Sequence, residues 1–313
     1  MDYGALGRSD LHVSRLGFGC CPMGGHGWGK VSPDDVERAV CVALNGGVNF
    51  FDTADVYGLG ESERRLGKAL KGRRREAIIA TKGGVRFGNH SKGSTYYDNS
   101  PAWLNHALEE SIRRLQVDYI DLYQVHYRDG RTPLCDVIEV LEANRKGGKI
   151  RYYGLSNISR DDIASFPIPP ALVTFQAQYS LACRSNEADI GKIARHKNLT
   201  FLSWGSLGQG ILTGKYDAHS RFPSNDRRSR PVYVNFHGPR LYKNMRIVQV
   251  MREVPSYLTR SPAQIAIRWI LDYLDIGIAL VGIKTPLQIT ENIGAFGWHL
   301  SQAEIECLDL ISR

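Results

Sequence analysis

The chain alternates short apolar runs with longer segments in which apolar residues recur every three or four positions. Eight short apolar runs predict β-strands, at residues 15–20, 48–51, 77–81, 119–125, 150–155, 172–175, 200–203 and 276–281. Between two of these runs, four apolar residues share one face of a helix: Leu104, Leu108, Ile112 and Leu115. The alternation of strands and helices predicts a parallel sheet that is covered by helices.

Capping residues mark the ends of several predicted helices. Ser-Pro pairs begin helices at Ser32-Pro33, Ser100-Pro101 and Ser261-Pro262, because serine caps the first free N–H groups and proline has no N–H to lose. Paired glycines end helices at Gly46-Gly47 and Gly147-Gly148. Further helices are predicted at residues 61–70, 134–146 and 186–197.

Eight strands that alternate with helices are typical of a closed (β/α)8 barrel, the TIM barrel, and residues 1–313 are predicted to form one such domain. Met1–Val13 is predicted to form an N-terminal β-hairpin. A long polar segment, Gly214–Lys243, follows the seventh strand and is interpreted as a functional flap because of its length. Gln288–Ala295 and Ser301–Ile311 are predicted to form a C-terminal helical tail. A doubly wound sheet is disfavoured, because no G-x-G-x-x-G turn opens a helix after the first strand.

The composition is that of a globular protein with a substantial core. Hydrophobic residues make up 42% of the 313 positions and charged residues 23%. No apolar stretch approaches the ~20 residues that a membrane-spanning helix needs, and the N-terminus lacks the apolar core of a signal peptide. The six cysteines have scattered spacings, which argues against a disulfide framework or a zinc site. We therefore expect a cytoplasmic protein without a metal.

The formal charge of +8 is compatible with either a nucleic acid or an anionic small molecule as ligand. The basic residues are dispersed, apart from Lys71–Arg75 and Arg227–Arg230, and no nucleic-acid-binding motif is present. We therefore expect a small-molecule ligand and neither a nucleic-acid partner nor a membrane partner. The pattern does not distinguish a monomer from a homo-oligomer.

Polar side chains follow most of the predicted strands. In a (β/α)8 barrel the carboxyl ends of all strands meet at one rim, and catalytic residues come from that rim. For any one of these residues alone, a helix cap, a solvated lysine or a hydrogen-bonded core histidine is the plainer interpretation. Their recurrence at six strand ends predicts a shared pocket formed by Asp52, Lys82, His126, Ser156-Asn157, Gln176 and Trp204.

Four residues fit together as a device for proton transfer. The glycine-rich loop after Asp52 carries Tyr57, whose phenol has an ordinary pKa of about 10 and is a poor acid at neutral pH. We expect a cationic Lys82 to lower the pKa of Tyr57 by favouring the phenolate. Asp52 would hold Lys82 in place, and His126 would orient a carbonyl oxygen. Such a set suits carbonyl reduction with a hydride from a cofactor, because no side chain can donate a hydride.

The sequence resembles the aldo-keto reductase family over nearly its whole length. Seven motifs carry the resemblance in chain order: GFG at 17–19, DTADVYGLGESE from 52, ATKGG at 80–84, DLYQVH at 121–126, GLSN at 154–157, WGSLGQGILTGKY at 204–216 and KTPLQITENIGA at 284–295. The resemblance implies the barrel with its N-terminal hairpin, and a nicotinamide dinucleotide, usually NADPH (NADP+ when oxidised), bound without a Rossmann domain. It also implies a catalytic tetrad of Asp52, Tyr57, Lys82 and His126, with Tyr57 as the proton donor.

The same resemblance assigns the cofactor site. Ser156, Asn157 and Gln176 match the positions that hydrogen-bond the nicotinamide carboxamide. Trp204 stands where the family stacks an aromatic ring on the nicotinamide, and Lys284 matches a contact with a 2′-phosphate. The other cofactor-binding residues implied in this way are Leu207, Gly208, Gly210, Lys215, Gly282, Gln288, Glu291 and Asn292. An independent argument agrees, because such barrels bind phosphate after their last two strands, where a helix N-terminus offers free N–H groups.

The substrate pocket is expected to be lined by Met23, Trp28, Tyr127 and Arg128, together with the flap. Arg128 and the flap arginines favour an anionic or polyhydroxylated substrate, unless they are simply solvated. We predict an NADPH-dependent reductase of an aldehyde or a ketone. The alternative is a regulatory barrel, similar to the potassium-channel β subunits, that binds NADP(H) and a partner protein with little turnover. A metal-dependent hydrolase is disfavoured because the strand ends lack a His/Asp cluster with ligand spacing.

Overall fold

The computed structural model describes residues 1–87, 95–164, 166–274 and 277–313. Its strands are β1 (Tyr3–Ala5), β2 (His12–Ser14), β3 (Leu16–Gly19), β4 (Phe50–Asp52), β5 (Ile78–Gly83), β6 (Val85–Phe87), β7 (Thr95–Tyr97), β8 (Ile120–Val125), β9 (Ile150–Ser156), β10 (Leu172–Gln178), β11 (Thr200–Trp204) and β12 (Gly277–Gly282). Its helices are α1 (Pro33–Asn45), α2 (Glu61–Ala69), α3 (Pro101–Leu115), α4 (Leu134–Lys146), α5 (Arg160–Ala164), α6 (Glu187–Lys197), α7 (Gly238–Glu253), α8 (Pro262–Leu274), α9 (Pro286–Ile293) and α10 (Gln302–Ser312).

The central sheet is a closed parallel barrel. Its eight strands follow one another in the order β3, β4, β5, β8, β9, β10, β11 and β12, and β12 pairs with β3 to close the ring. β1 and β2 form a separate antiparallel hairpin that precedes the barrel. The predicted (β/α)8 barrel with an N-terminal hairpin and C-terminal helices is therefore confirmed.

A small apolar core fills the inside of the barrel. Its members on the barrel strands include Phe50, Ala80, Leu122, Leu202, Ile278 and Leu280. Leu6 and Leu11 of the hairpin belong to the same cluster, and the backbone N–H of Gly7 donates to the Thr200 hydroxyl at the start of β11. The hairpin thus closes the amino end of the barrel and keeps water from the interior.

The alternation of side chains along each strand places polar groups directly above this apolar core. Residues two positions apart on a strand face the same side. Asp52 therefore follows Phe50 into the interior, and Lys82 follows Ala80. The rim is polar because the apolar interior residues of β4 and β5 stop two positions before the polar residues Asp52 and Lys82.

The predicted helix starts agree with the structure. The hydroxyl of Ser32 accepts a hydrogen bond from the N–H of Asp35 at 3.3 Å, and Ser100 and Ser261 cap their helices in the same way. Each such cap stabilises a helix by about 1 kcal/mol. The eight predicted barrel strands are present with shifted ends; β3 stops at Gly19, and residue 276, where the last strand was predicted to begin, lies outside the described residues.

Four elements, β6, β7, α5 and α7, are absent from the sequence prediction. The polar segment Gly214–Lys243 is not a flap throughout, because α7 begins at Gly238 within it and packs against α10. In addition, β5 is followed by an unpredicted antiparallel pair, β6 and β7. The apolar residues of α7 are separated by many polar ones, so its helical period is weak in the sequence.

The structure also bears on membrane insertion and on disulfide formation. Among the described residues, no helix is both long enough and apolar enough to span a bilayer. All six cysteines are free thiols, and Cys20 is buried in the core.

Two glycines bring the loop after β4 against the loop after β3. Gly58 has a positive φ of 62°, and a Cβ atom built there would lie 2.3 Å from the carbonyl oxygen of Gly24. A Cβ on Gly24 would in turn lie 2.6 Å from the N atom of Gly58. Only glycines allow this backbone contact, and it holds the neighbouring Tyr57 in place.

We predict that Gly58→Ala destabilises the protein more than Gly72→Ala. Gly72 also has a positive φ, of 81°, but no atom of the described residues lies within 4 Å of its added Cβ. Gly72→Ala should therefore cost only the backbone strain of about 1–2 kcal/mol, whereas Gly58→Ala should cost roughly 1–3 kcal/mol more through overlap. Urea denaturation of both variants measures the difference; equal losses would show that the loops separate freely.

Candidate active site

A buried ion pair lies at the centre of the rim. The Lys82 ammonium on β5 donates to the Asp52 carboxylate on β4 at 2.6 Å and to the Thr53 carbonyl oxygen at 2.9 Å. Lys82 is fully buried, and Asp52 is 4% exposed. A buried charge is tolerated only when it is paired and hydrogen-bonded, so these contacts are needed to keep both groups in the barrel.

Two glutamine amides complete the hydrogen bonding of Asp52. Its second carboxylate oxygen accepts from Gln176 on β10 at 3.0 Å and from Gln124 on β8 at 3.2 Å. Gln176, predicted as a nicotinamide contact, therefore uses its NH2 group on Asp52 and keeps its amide oxygen for another partner. One carboxylate thus joins four strands of the barrel.

Tyr57 and His126 lie in edge-to-face contact above this pair. Their ring centroids are 5.7 Å apart at 84°, and the Lys82 ammonium is 5.2 Å from the centroid of the Tyr57 ring. Burial raises the pKa of Tyr57 well above its ordinary value, and nearby Cys21 and Asp52 raise it further. The expectation that Lys82 lowers this pKa is therefore wrong for the free protein. Tyr57 is a neutral phenol with its proton in place.

Ring contacts, and not a hydrogen bond, orient the His126 imidazole. Its Nδ1 atom is buried and has no hydrogen-bond partner among the described residues. The ring stacks on Tyr127 with centroids 5.0 Å apart at 19°. Burial lowers the pKa of His126 well below its ordinary value, and Lys82 lowers it further. His126 is therefore a neutral imidazole, which can donate one hydrogen bond from its other nitrogen.

Asn157 links three parts of the rim. It has a positive φ of 53° at the end of β9. Its NH2 group donates to the carbonyl oxygen of His126 and to the Ser156 hydroxyl, both at 3.0 Å. Its amide oxygen accepts from the Trp204 indole N–H at 3.0 Å. Because both amide hydrogens are engaged, the predicted carboxamide contact of Asn157 would use the second lone pair of its amide oxygen.

A cavity of about 610 Å³ opens above the tetrad. It receives most of the residues that sequence reasoning assigned to the site. Those that line it are Asp52, Tyr57, His126, Asn157, Gln176, Trp204, Leu207, Gly210, Lys215, Gly282, Lys284, Gln288, Glu291 and Asn292, with Trp28 and Tyr127 of the expected substrate pocket. One continuous space therefore joins the predicted proton-transfer residues to the predicted phosphate-binding residues.

Five assigned residues lie outside the lining. Lys82 and Ser156 are buried behind it, and Gly208 is buried in the turn after β11. Met23 belongs to the core, so its assignment to the pocket wall is wrong. Arg128 also does not reach the cavity, because its guanidinium turns back to donate to the Thr132 carbonyl oxygen. Side chains in loops follow no fixed period, so the sequence does not indicate where the side chains of Met23 and Arg128 point.

One side of the cavity carries several cations. Lys215, Arg227, Arg228 and Lys284 line it. Arg228 is paired with Asp226 at 2.7 Å, and the Lys284 ammonium donates to the Trp28 carbonyl oxygen at 3.0 Å. Burial lowers the pKa of Lys284, and the neighbouring Arg228 lowers it further.

The remaining two cations are uncompensated. Lys215 and Arg227 have no ion-pair partner among the described residues, although both line the cavity. Unpaired cations in a cleft attract anions. Lys215 and Arg227 therefore fit the phosphates of a dinucleotide. The N-terminus of α9, close to Lys284, offers free N–H groups to the same kind of ligand.

Several residues of the site were missed by sequence reasoning. Gln124, which donates to Asp52, lies two positions before His126, so the strand period could have identified it as facing the same interior. Cys21 and Tyr216 line the cavity but carry no motif of their own. Tyr233, in the flap, is placed by long-range packing against Trp28, with ring centroids 6.2 Å apart.

The fold and the residues of this cavity are those of a (β/α)8 barrel oxidoreductase. The family model of the aldo/keto reductase family matches residues 15–313. The chain therefore belongs to the aldo/keto reductase family. It is an NAD(P)H-dependent oxidoreductase that acts on small carbonyl compounds.

Characterised relatives differ in cofactor. The chain is 34% identical to the aldo-keto reductase yakc of Schizosaccharomyces pombe, whose name specifies NADP(+), over 94% of this chain and 87% of that protein. It is 30% identical to an NADH-specific methylglyoxal reductase of Escherichia coli, over 96% of this chain and 94% of the other. The solved structure of a glycerol dehydrogenase from Gluconobacter oxydans matches with a TM-score of 0.89 and 34% identity, over 99% of this chain and 94% of the other.

We predict that His126 makes stability fall as the pH drops. Since the pKa of His126 is lowered in the folded protein, the unfolded chain binds a proton below pH ~6.5 and the folded chain does not. The free energy of unfolding should therefore fall below pH ~6.5 by up to about 1.4 kcal/mol per pH unit, and the stability is fully present above it.

His126→Asn is the matched comparison, because asparagine does not titrate in this range. Other titrating groups are common to both proteins and cancel in the difference. The unfolding free energy of the wild type minus that of the variant should increase as the pH rises from 5 to 7. Parallel curves would mean that His126 binds its proton equally well in the folded protein.

Proposed function

We propose that this protein reduces an aldehyde or a ketone to an alcohol, with Tyr57 as the general acid and NADPH as the preferred cofactor. The observation that carries the proposal is a neutral, buried phenol in contact with a neutral imidazole, above the Lys82–Asp52 pair and inside a cavity with uncompensated cations. A proton donor must hold its proton at neutral pH, and the raised pKa of Tyr57 meets that requirement.

The roles of the side chains follow from their contacts. His126, neutral and fixed by its ring neighbours, donates a hydrogen bond to the substrate carbonyl oxygen. Tyr57 delivers its proton to the same oxygen as negative charge develops there. Lys82 then stabilises the phenolate left on Tyr57, because its ammonium lies beside that ring. Asp52 positions Lys82, and solvent returns the proton to Tyr57 after the alcohol leaves.

The residues that would hold the cofactor are those of the cation-lined side and the rim. When bound, the reduced nicotinamide supplies the hydride that adds to the carbonyl carbon. Trp204 offers an aromatic face near the tetrad, fixed by its hydrogen bond to Asn157. Lys215 and Arg227 would bind the diphosphate, and Lys284 would bind the 2′-phosphate.

The preference for NADPH rests on charge. Four cations and two carboxylates, Asp52 and Glu291, line the cavity, and Asp52 is already paired with Lys82. NADPH carries one more phosphate than NADH, so an excess of positive charge favours it. Because one relative is specific for NADH, NADH is the alternative cofactor for this chain.

We predict that Tyr57→Phe abolishes carbonyl-dependent oxidation of NADPH, by at least about 10²-fold, and leaves NADPH binding nearly intact. The ring and its contact with His126 are retained, and only the transferable proton is lost. Absorbance loss with a panel of aldehydes and ketones measures turnover, and fluorescence titration measures binding.

Tyr123→Phe is the matched control. The Tyr123 hydroxyl is buried on β8 without a hydrogen-bond partner among the described residues, and it does not line the cavity. This variant should keep wild-type turnover. Unchanged activity in Tyr57→Phe would remove Tyr57 from the mechanism, and a wild-type protein that binds NADPH but reduces no carbonyl would favour a regulatory barrel.

We predict that Lys284→Ala weakens NADPH binding by about tenfold or more and changes NADH binding little, because a charge-assisted contact with one phosphate is lost. Lys215→Ala is the control, since a diphosphate contact is common to both cofactors and its loss should weaken both. Equal losses for NADPH and NADH in Lys284→Ala would show that Lys284 does not bind the 2′-phosphate.

A further inference from the structure

Gln124 on β8 lies behind the lining of the cavity, and no step of the proposed reduction uses it. Its side chain is fully buried, and Gln124 does not belong to the described residues that line the cavity. Across the β5–β8 pair it is the partner of Lys82. Its amide NH2 group donates to the second carboxylate oxygen of Asp52 at 3.2 Å. Gln124 therefore contacts the buried ion pair without occupying space that a ligand would need.

A glycine on the neighbouring strand makes room for this side chain. Gly154 is the residue of β9 that pairs with Gln124, and a Cβ atom built on it would lie 3.2 Å from Cγ of Gln124. The same Cβ atom would lie 2.1 Å from the hydroxyl oxygen of Thr174 on β10. A side chain at position 154 would therefore overlap Thr174 and crowd Gln124. Its absence leaves Gln124 room to extend into the barrel interior.

The second glutamine of the network determines which way the Gln124 amide faces. The NH2 group of Gln176 donates to the same oxygen of Asp52 at 3.0 Å, and it lies 3.5 Å from the amide oxygen of Gln124. A flipped Gln124 amide would place its oxygen against the carboxylate and its NH2 group against another NH2 group. The NH2 group of Gln124 must therefore face Asp52.

The donors at this oxygen determine how strongly Asp52 acts on its neighbours. Burial raises the pKa of Tyr57 most, and Cys21 and Asp52 raise it further. An N–H group that donates to a carboxylate reduces the negative charge that the surroundings experience. Without the Gln124 amide, Asp52 would hold Lys82 more strongly. Tyr57 would then be a weaker acid.

We propose that Gln124 is a positioning residue for the reduction, which holds the Asp52 carboxylate and partly neutralises its charge. Lys82 thereby stays available to the phenolate that forms on Tyr57. Gln124 acts through Asp52 and touches neither the cofactor nor the substrate. The inference rests on the proposed proton transfer from Tyr57 and extends it to a residue behind the cavity. Its signature is an effect on kcat with little effect on KM.

Gln124→Met tests the loss of the donor. Methionine has nearly the length and volume of glutamine but no N–H group. The assay uses NADPH and glyceraldehyde, or the best substrate of the carbonyl panel if glyceraldehyde is not reduced. The kcat should fall by about tenfold, because a hydrogen bond to a charged group is lost. The KM for the aldehyde and the Kd for NADPH should change little, because Gln124 does not line the cavity.

Gln124→Glu restores a donor only while the introduced carboxyl is protonated. Burial and the negative charge of Asp52 both favour its protonated form, and Lys82 opposes them. At pH 5 the kcat should be within about threefold of the wild-type value, and by pH 8 it should fall by about tenfold relative to the wild type. A side chain that only fills space would not give this rescue at low pH.

The native titratable groups do not contribute to this ratio. Those that lie near the Lys82–Asp52 pair are Cys20, Cys21, Tyr57 and His126. All of them are present in both proteins. The ratio of the two kcat values therefore reports the introduced carboxyl alone.

Thr174→Val is the matched control. Thr174 is fully buried, and it lies two positions before Gln176 on the same interior face of β10. Its hydroxyl has no hydrogen-bond partner among the described residues, so it gives nothing to the ion pair. Valine has nearly the same shape as threonine. This variant should keep the wild-type kcat at both pH values.

The outcomes separate this inference from the reduction on which it rests. A wild-type kcat in Gln124→Met would overturn the inference, and so would a ratio of Gln124→Glu to wild type that stays constant between pH 5 and pH 8. An equal loss in Thr174→Val would overturn it too, because any disturbance of the barrel interior would then suffice. If Gln124→Met does not fold, the pH dependence of Gln124→Glu decides. A wild-type protein that reduces no carbonyl would instead reject the proposed reduction itself.

Discussion

The contact between Lys82 and Asp52 is the interaction on which the rest of the site depends. A fully buried ammonium is possible only because a carboxylate and a carbonyl oxygen receive it, and because two glutamine amides complete the carboxylate. The partners come from four strands, so the network exists only when the barrel is closed. Removing one member of a buried pair typically costs about 3–5 kcal/mol, because the other charge is left without compensation. The geometry of the candidate site and the closure of the barrel therefore depend on the same atoms.

The apolar layer beneath the pair gives the site its electrostatic character. Phe50 and Ala80 lie one inward-facing step below Asp52 and Lys82, and the hairpin closes the other end of the barrel. Water is thereby kept from one side of the tetrad. The same exclusion raises the pKa of Tyr57 and lowers that of His126, so both groups stay neutral while the ion pair remains. A phenol that holds its proton and an imidazole that carries no charge are the forms that a reductive proton transfer needs.

Sequence reasoning reached the barrel and the rim because both follow from periodicity. Strands recur at regular spacing, and their carboxyl ends share one edge, so the sequence alone predicts that Asp52, Lys82 and His126 lie together. Side chains in loops follow no such period, which is why Met23 and Arg128 were placed in the pocket wrongly. Burial also depends on partners distant in the chain, and the direction of the pKa shift of Tyr57 was therefore misjudged. The stacking of Tyr97 on Tyr127 joins β7 to the end of β8, and neither residue belongs to a pattern that indicates it.

Asn157 shows how one backbone conformation couples the two halves of the cavity. Its positive φ turns the chain at the end of β9, so that a single amide reaches the carbonyl of His126 on one side and the indole of Trp204 on the other. His126 belongs to the proposed proton-transfer set, and Trp204 lines the same cavity. Because Nδ1 of His126 has no hydrogen-bond partner in the described part of the chain, the position of the ring is determined by its backbone and by its ring neighbours. A group that pulls the Asn157 amide toward the cavity would therefore also move the backbone of His126, and the geometry of the acid site would respond to what occupies the Trp204 face.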